Sequence, residues 1–241
     1  MAGPLETALF ARLIDHAPLF PPAQLPLPDA LEEHRRAREG PHGWIVRRFV
    51  APASLLRNLD GEALALSVVA DSDFDPSDSR IQSLEIPPNG TLWVTRAETY
   101  FETDAEIAPV FAGQLAQSGS RLKIRCGPKP PSVTALAATI QACKQHSLAF
   151  KATAGLHHAV RTKKEQGFVN LLAAAIFPDE ESALAEDDAE AFRLEGETFL
   201  WRDRAASIAD VERGRGLFVA FGSCSFSEPV DDLVALGLLA A

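Results

Sequence analysis

Two lysines stand where the pattern of the chain least expects them. Lys123 lies in Leu-Lys-Ile and Lys151 in Phe-Lys-Ala, each inside a short apolar run of the kind that forms a parallel strand covered on both faces. An ammonium buried alone is costly. Two ammoniums held close repel, and desolvation acts in the same direction, so one of them is left with a neutral fraction near pH 7. Such an amine condenses with a carbonyl compound, and the iminium that results draws electrons from the adjacent carbon–carbon bond. The alternative is an ion pair: one or both lysines joined to Glu85 or Glu102 and serving only to fix the strands.

Other reactive side chains fall at the ends of the same apolar runs. They are Asp15 with His16, Arg47, Asp71, Glu85, Glu102, Arg125, Thr153, and Ser223 with Ser225. Lys123 and Arg125 are two apart and share a strand face, which suits Arg125 to a substrate carboxylate or phosphate. Arg47 is a second candidate anion grip. Glu102 or His157 is placed to move a proton at carbon, since His157 and His158 follow directly on a strand end. Either histidine, with His16, Glu85 or Glu102, offers ligands to a metal, but no dense ligand spacing is present and no metal is expected. Cys126 and Cys224 also end strands, where a buried inert thiol is the plainer reading. Gly214 and Gly216 precede a strand, the wrong order for a dinucleotide loop, so no cofactor is implied.

The segments Lys123-Ile-Arg-Cys-Gly127, Lys151-Ala-Thr-Ala-Gly155 and Gly222-Ser-Cys-Ser225 resemble the strand-six, strand-seven and strand-eight motifs of the deoxyribose-phosphate aldolases. The resemblance implies that Lys123 is the Schiff-base nucleophile and Lys151 the lysine that depresses its pKa. It further implies that Gly222, Ser223 and Ser225 form a backbone-rich anion cradle. It covers the C-terminal half of the chain only. Where that family continues its strand-seven motif Gly-Gly-hydrophobic-Arg, this chain has Ala154-Gly155-Leu156-His157-His158, and Arg125 and Cys126 replace small hydroxyl residues.

Positioning such groups requires a scaffold, and alternation supplies it. Eight short apolar runs alternate with helical segments, the pattern of βαβ units and of one (β/α)8 TIM-type barrel spanning residues 1–241. The runs are Ile14 to His16, Trp44 to Val50, Leu64 to Ala70, Ile81 to Ile86, Thr99 to Phe101, Arg121 to Cys126, Ala149 to Thr153 and Leu217 to Phe221. Helices are expected over Pro4 to Leu13, Asp29 to Arg38, Ala105 to Gln117, Ser132 to His146, Gly167 to Phe177 and Val230 to Leu239. Between strands seven and eight the connection is unusually long and carries the acidic stretch 179–190. It reads as a solvated helical insertion, with a lid or an oligomer contact as the functional alternative.

Composition bounds the rest. With 241 residues and 46% hydrophobic content, the chain can bury one large core. A formal net charge of −10 argues against a nucleic-acid or anionic-membrane partner. Three scattered cysteines make no disulfide framework, and neither a signal peptide nor a membrane span is evident, so a cytoplasmic protein is expected. The expected partner is a small carbonyl compound. Two other classes stay open. One is a metal-dependent, enolase-like lyase or isomerase on Asp71, Glu85 and Glu102. The other is a non-catalytic barrel that binds an anionic metabolite or a partner through Arg47, Arg125 and the Ser223–Ser225 turn.

Overall fold

A computed structural model describes residues 2–88, 90 and 95–240. Eight strands close into a barrel: β1 (Ile14–His16), β2 (Val46–Pro52), β3 (Leu66–Val69), β4 (Ile81–Ile86), β5 (Glu98–Thr103), β6 (Arg121–Arg125), β7 (Phe150–Thr153) and β11 (Phe218–Ser223). Each pairs in parallel with its neighbours, and β11 closes the ring between β7 and β1. This is the α/β barrel expected from the alternation. A closed parallel barrel has no open edge, and every strand start faces one end and every strand finish the other.

The helices are α1 (Pro4–Phe10), α2 (Leu27–Glu39), α3 (Ala108–Gln117), α4 (Val133–His146), α5 (Phe168–Ile176), α6 (Glu180–Ala185), α7 (Ile208–Leu217) and α8 (Ser227–Ala235). They clad the barrel unevenly. One large apolar cluster joins β6, β7 and β11 to α1, α3, α4, α5 and α7. A smaller one backs β2, β3 and β4 with Leu19, Leu25, Leu27 and the turn Ala53–Leu59. No helix separates β3 from β4, and none is described between β4 and β5. Of the described helices, none is long and apolar enough to cross a membrane.

Boundaries moved where local chemistry outranked the apolar pattern. Gly43–Ile45 forms a 3-10 turn, so β2 starts later and runs to Pro52. A Cβ on Gly43 would lie on the Arg38 carbonyl, so glycine is required where the chain leaves α2. Strand β11 extends through Gly222 and Ser223, which places both on the strand rather than in the turn after it.

The long connection after β7 differs from the expected helical insertion. Its acidic stretch lies in α6 and a 3-10 turn at Ala189–Ala191. There follows an antiparallel three-stranded sheet, β8 (Phe192–Glu195), β9 (Thr198–Trp201) and β10 (Arg204–Ser207), which leads into α7. Phe192, Phe199, Trp201 and Ala206 turn one face of this sheet into the main apolar cluster. Period-2 burial, not charge, decided its structure.

Candidate functional site

Inside the barrel, rows of hydrogen-bonded and charged side chains replace the branched aliphatic layers usual in this architecture. In the sheet register Glu102, Lys123 and Lys151 stand abreast on β5, β6 and β7. Glu85 reaches in from β4, Ser67 from β3 and Asp15 from β1. Lys123 Nζ lies 2.6 Å from Glu85 Oε2 and 2.7 Å from Glu102 Oε2. Lys151 Nζ lies 2.5 Å from Asp15 Oδ2 and 2.6 Å from Glu85 Oε1. Ser67 donates to Glu85 Oε1 at 2.6 Å and receives Ser83 Oγ at 2.6 Å. One carboxylate, Glu85, thus bridges the two lysines.

That bridge corrects the expected electrostatics. Burial pushes the Lys151 ammonium down, but Asp15 and then Glu85 outweigh it and hold Lys151 above the ordinary lysine value. Burial likewise pushes Glu85 up, and the attraction of Lys123 and Lys151 reverses this and holds it well below the usual carboxylate range. The resting geometry is therefore ion-paired, with a carboxylate where the direct lysine–lysine contact was expected.

Lys123 lies on the wall of a cavity of about 240 Å³ at the C-terminal mouth of the barrel. Glu85, Glu102, Arg125, Lys151, Thr153 and His157 share that wall, as do Gly222, Ser223 and Cys224. The lysines differ in depth: Lys151 is 1% exposed and Lys123 4%. Arg125 stands at the rim with its side chain 49% exposed, donating to the Gly127 carbonyl at 3.1 Å and lying 3.3 Å from Glu102 Oε1. Glu102 consequently has one oxygen on Lys123 and the other on Arg125.

The two Lys-x-x-x-Gly motifs have a shared structural reason. A Cβ on Gly127 would lie 2.9 Å from the Gly155 nitrogen, and one on Gly155 would lie 2.9 Å from the Cys126 carbonyl. The turns after β6 and β7 pack backbone against backbone, and Gly155, with Ala154 before it, adopts positive φ. This contact joins the ends of β6 and β7, the two strands that carry Lys123 and Lys151. Gly222 is constrained as well, since a Cβ there would meet Thr153 Oγ1 at 2.9 Å.

Several residues singled out from the sequence lie elsewhere. Arg47 is the second residue of β2, near the strand starts. It is 2.8 Å from Glu98 Oε2 and 3.7 Å from Asp15, so it braces the barrel and does not line the cavity. Ser225 is also outside the cavity wall: its Oγ receives the Glu228 N–H at 3.3 Å at the start of α8. Ser223 lines the wall, but its hydroxyl donates to the Ser225 carbonyl at 2.6 Å. His157 lines the wall with Nδ1 3.3 Å from Glu228, while His158 faces Asp232. His16 points out of the barrel and stacks on His34 of α2, away from Glu85 and Glu102. Burial pushes the Cys126 thiol up to about 12 and raises Cys224 as well, so neither is poised as a nucleophile.

The carboxylate trio of the enolase-like alternative does not converge. Asp71 is engaged by the Ser54 N–H at 2.9 Å and the Ser54 hydroxyl at 2.6 Å on the outer surface, whereas Glu85 and Glu102 meet at Lys123. Among the described residues, no group of three or more histidine, cysteine, aspartate or glutamate side chains is arranged to hold a metal ion. Asp15 is the residue whose importance the strand pattern understated. Its position at a strand end was visible, but its pairing with Lys151 joins residues 136 positions apart. Set against known proteins, the chain matches no protein-family model, no curated protein and no solved structure.

Proposed function

We propose that this chain is a lyase of the aldolase type, acting on a small aldehyde, ketone or keto acid through a Schiff base on Lys123. One observation carries the reading: an amine on the wall of a cavity at the barrel mouth, held by two carboxylates of which one, Glu102, also meets the rim residue Arg125. Glu85 is committed as a carboxylate by Lys151, so Glu102 is the group that exchanges protons with Lys123.

The ammonium first gives a proton to Glu102. The Lys123 nitrogen then bonds to the carbonyl carbon, and the carbonyl π pair moves onto oxygen, which takes that proton back from Glu102. A second N–H proton follows the same route, water departs, and the iminium keeps the third. Ammonium and carbonyl thus become iminium and water with no outside acid. In the cleavage direction, Glu102 or His157 takes the proton of the hydroxyl on the β carbon, two carbons from the iminium carbon, so that the bond between the α and β carbons can part. The carbon–carbon bond breaks, its electron pair enters the iminium to give an enamine, and the second fragment leaves as an aldehyde. Lys151 serves as a fixed cation that keeps Glu85 charged and Lys123 in place.

The test is borohydride reduction in the presence of a panel of small aldehydes, ketones and keto acids, followed by peptide mass spectrometry. The expected adduct is on Lys123. An adduct on Lys151 would exchange the two roles, and no adduct with any compound would remove the reading.

The complete ion pairing of both lysines favours a second reading, a non-catalytic cavity that binds an anionic metabolite through Arg125. Anion binding without any trapped adduct would support it.

A further inference from the structure

The cavity is asymmetric in charge, and this bears on the substrate. Resting on the Schiff-base reading, we propose that the substrate is a short, unphosphorylated 2-oxo acid, with its carboxylate on Arg125 and the adjacent carbonyl carbon on Lys123.

The first argument is the distance between the two cations. The Glu102 carboxyl spans them, 2.7 Å from Lys123 Nζ and 3.3 Å from Arg125 Nη1. The gap between amine and guanidinium is therefore about one carboxyl group wide. A 2-oxo acid carries its carboxylate on the carbonyl carbon itself, so a carbon bonded to Nζ brings that carboxylate to the guanidinium. Lys123 and Lys151 are saturated with carboxylates, whereas the half-exposed Arg125 uses Nε on Gly127 and one terminal nitrogen on Glu102. Its remaining donors suit a bidentate carboxylate.

The second argument is the state of the Ser223 side of the cavity and of the groove that adjoins it at His157 and Cys224, the place that the resemblance assigns to a phosphate. The serine hydroxyls at and after the end of β11 are already engaged: Ser223 donates to the Ser225 carbonyl, and Ser225 Oγ receives the Glu228 N–H and faces Ser227 Oγ. The first turn of α8 carries Glu228, and Asp231 and Asp232 follow within the same groove as Glu165. These carboxylates repel a phosphate dianion. Lys129 borders Arg125 on its other side, in a separate groove that Asp104 and Glu106 also line.

The third argument is mechanistic. A substrate carboxylate on the remaining donors of Arg125 offsets the guanidinium charge, weakens its hold on Glu102 and leaves Glu102 the better acceptor for the Lys123 proton. Binding of the acid group and generation of the amine become one event, and a carbonyl compound without that group lacks the trigger.

The decisive measurement compares borohydride trapping by pyruvate, acetone and glycolaldehyde phosphate, each normalised to its reactivity with a free amine. Pyruvate is expected to label Lys123 at a concentration at least tenfold below that of the other two. Arg125→Gln should bring the pyruvate-to-acetone ratio towards one, and Arg125→Lys should retain part of it. Should Arg125→Gln not fold, the wild-type and Arg125→Lys ratios decide. Equal labelling by acetone, or preference for glycolaldehyde phosphate, would overturn the substrate class and leave the Schiff base standing. No adduct with any of the three, nor with the wider panel, would overturn both.

Discussion

Glu85 and Glu98 are carboxylates on adjacent strands of the same barrel, each ringed by cations, and the cations differ in kind. Glu98 opens β5 near the strand starts. Arg47 holds it at 2.8 Å, Arg48 at 2.9 Å, Arg121 at 3.0 Å and the Tyr100 hydroxyl at 3.0 Å. Burial pushes the Glu98 carboxyl up, but these partners reverse the effect and bring it down to about 2. Glu85, near the end of β4, is held by two lysines and a serine beside an open cavity. Arginine keeps its proton throughout the accessible pH range and grips with a planar fork, whereas lysine can give its proton up. One cluster braces the strand starts with arginines, and the other is the one on which the proposed proton transfers depend. Tyr100 and Arg47 connect the two. The Tyr100 ring faces Lys151 at 5.3 Å while its hydroxyl meets Glu98, and Arg47 lies between Glu98 and Asp15.

The largest effects should fall on the deeper half of the upper cluster. Lys151→Met leaves Asp15, which is fully buried, with only Arg47 at 3.7 Å, and is expected to cost about 3–5 kcal/mol in urea unfolding. Glu85→Gln removes the carboxylate common to both lysines and should cost a similar amount. Lys123→Met is gentler on the fold, because Glu85 keeps Lys151 and Ser67 and Glu102 keeps Arg125; about 1–2 kcal/mol is expected. Its effect on borohydride trapping should be complete. If Lys123→Met destabilised as much as Lys151→Met and trapping persisted, the division between nucleophile and support would be wrong.

What could be read in advance follows from what is local. Alternation of apolar runs exposed the barrel because strand and helix periods are short-range signals, and Lys123 and Lys151 stood out because each interrupts such a run. Arg125 followed from period 2 along the strand of Lys123, and Glu102 from its place at a strand end; that Glu102 stands abreast of Lys123 emerged only in the register. Arg47 was misplaced because a charge within a strand carries no mark of which end it serves. Its partner Glu98 lies 51 residues away, on a strand whose first residue the apolar pattern does not include. The β8–β10 sheet was masked by the acidic stretch before it, although Phe199 and Trp201 alternate and positive-φ turns at Gly196 and Arg202 separate its strands. Ser225 belongs to the capping of α8, a role that depends on the helix beginning at Ser227 rather than Val230.

The smallest effect is the one that tests the fastening cluster alone. Glu98→Gln keeps the shape of the side chain but not its charge, and three arginines lose their common partner. Because Glu98 is partly exposed, a loss of about 1–2 kcal/mol near pH 7 is expected, with borohydride trapping on Lys123 unchanged. The pH dependence identifies the cause. A folded-state pKa of about 2 lies below the ordinary 4.5, so the unfolded chain takes up the proton first as pH falls. The stabilisation from Glu98 is therefore complete above the ordinary carboxylate value and is lost progressively as pH drops from about 5 towards 2. The stability difference between wild type and Glu98→Gln should narrow across that window and be flat above it. A difference that persisted undiminished at low pH would mean that packing, not charge, holds this end of the barrel together.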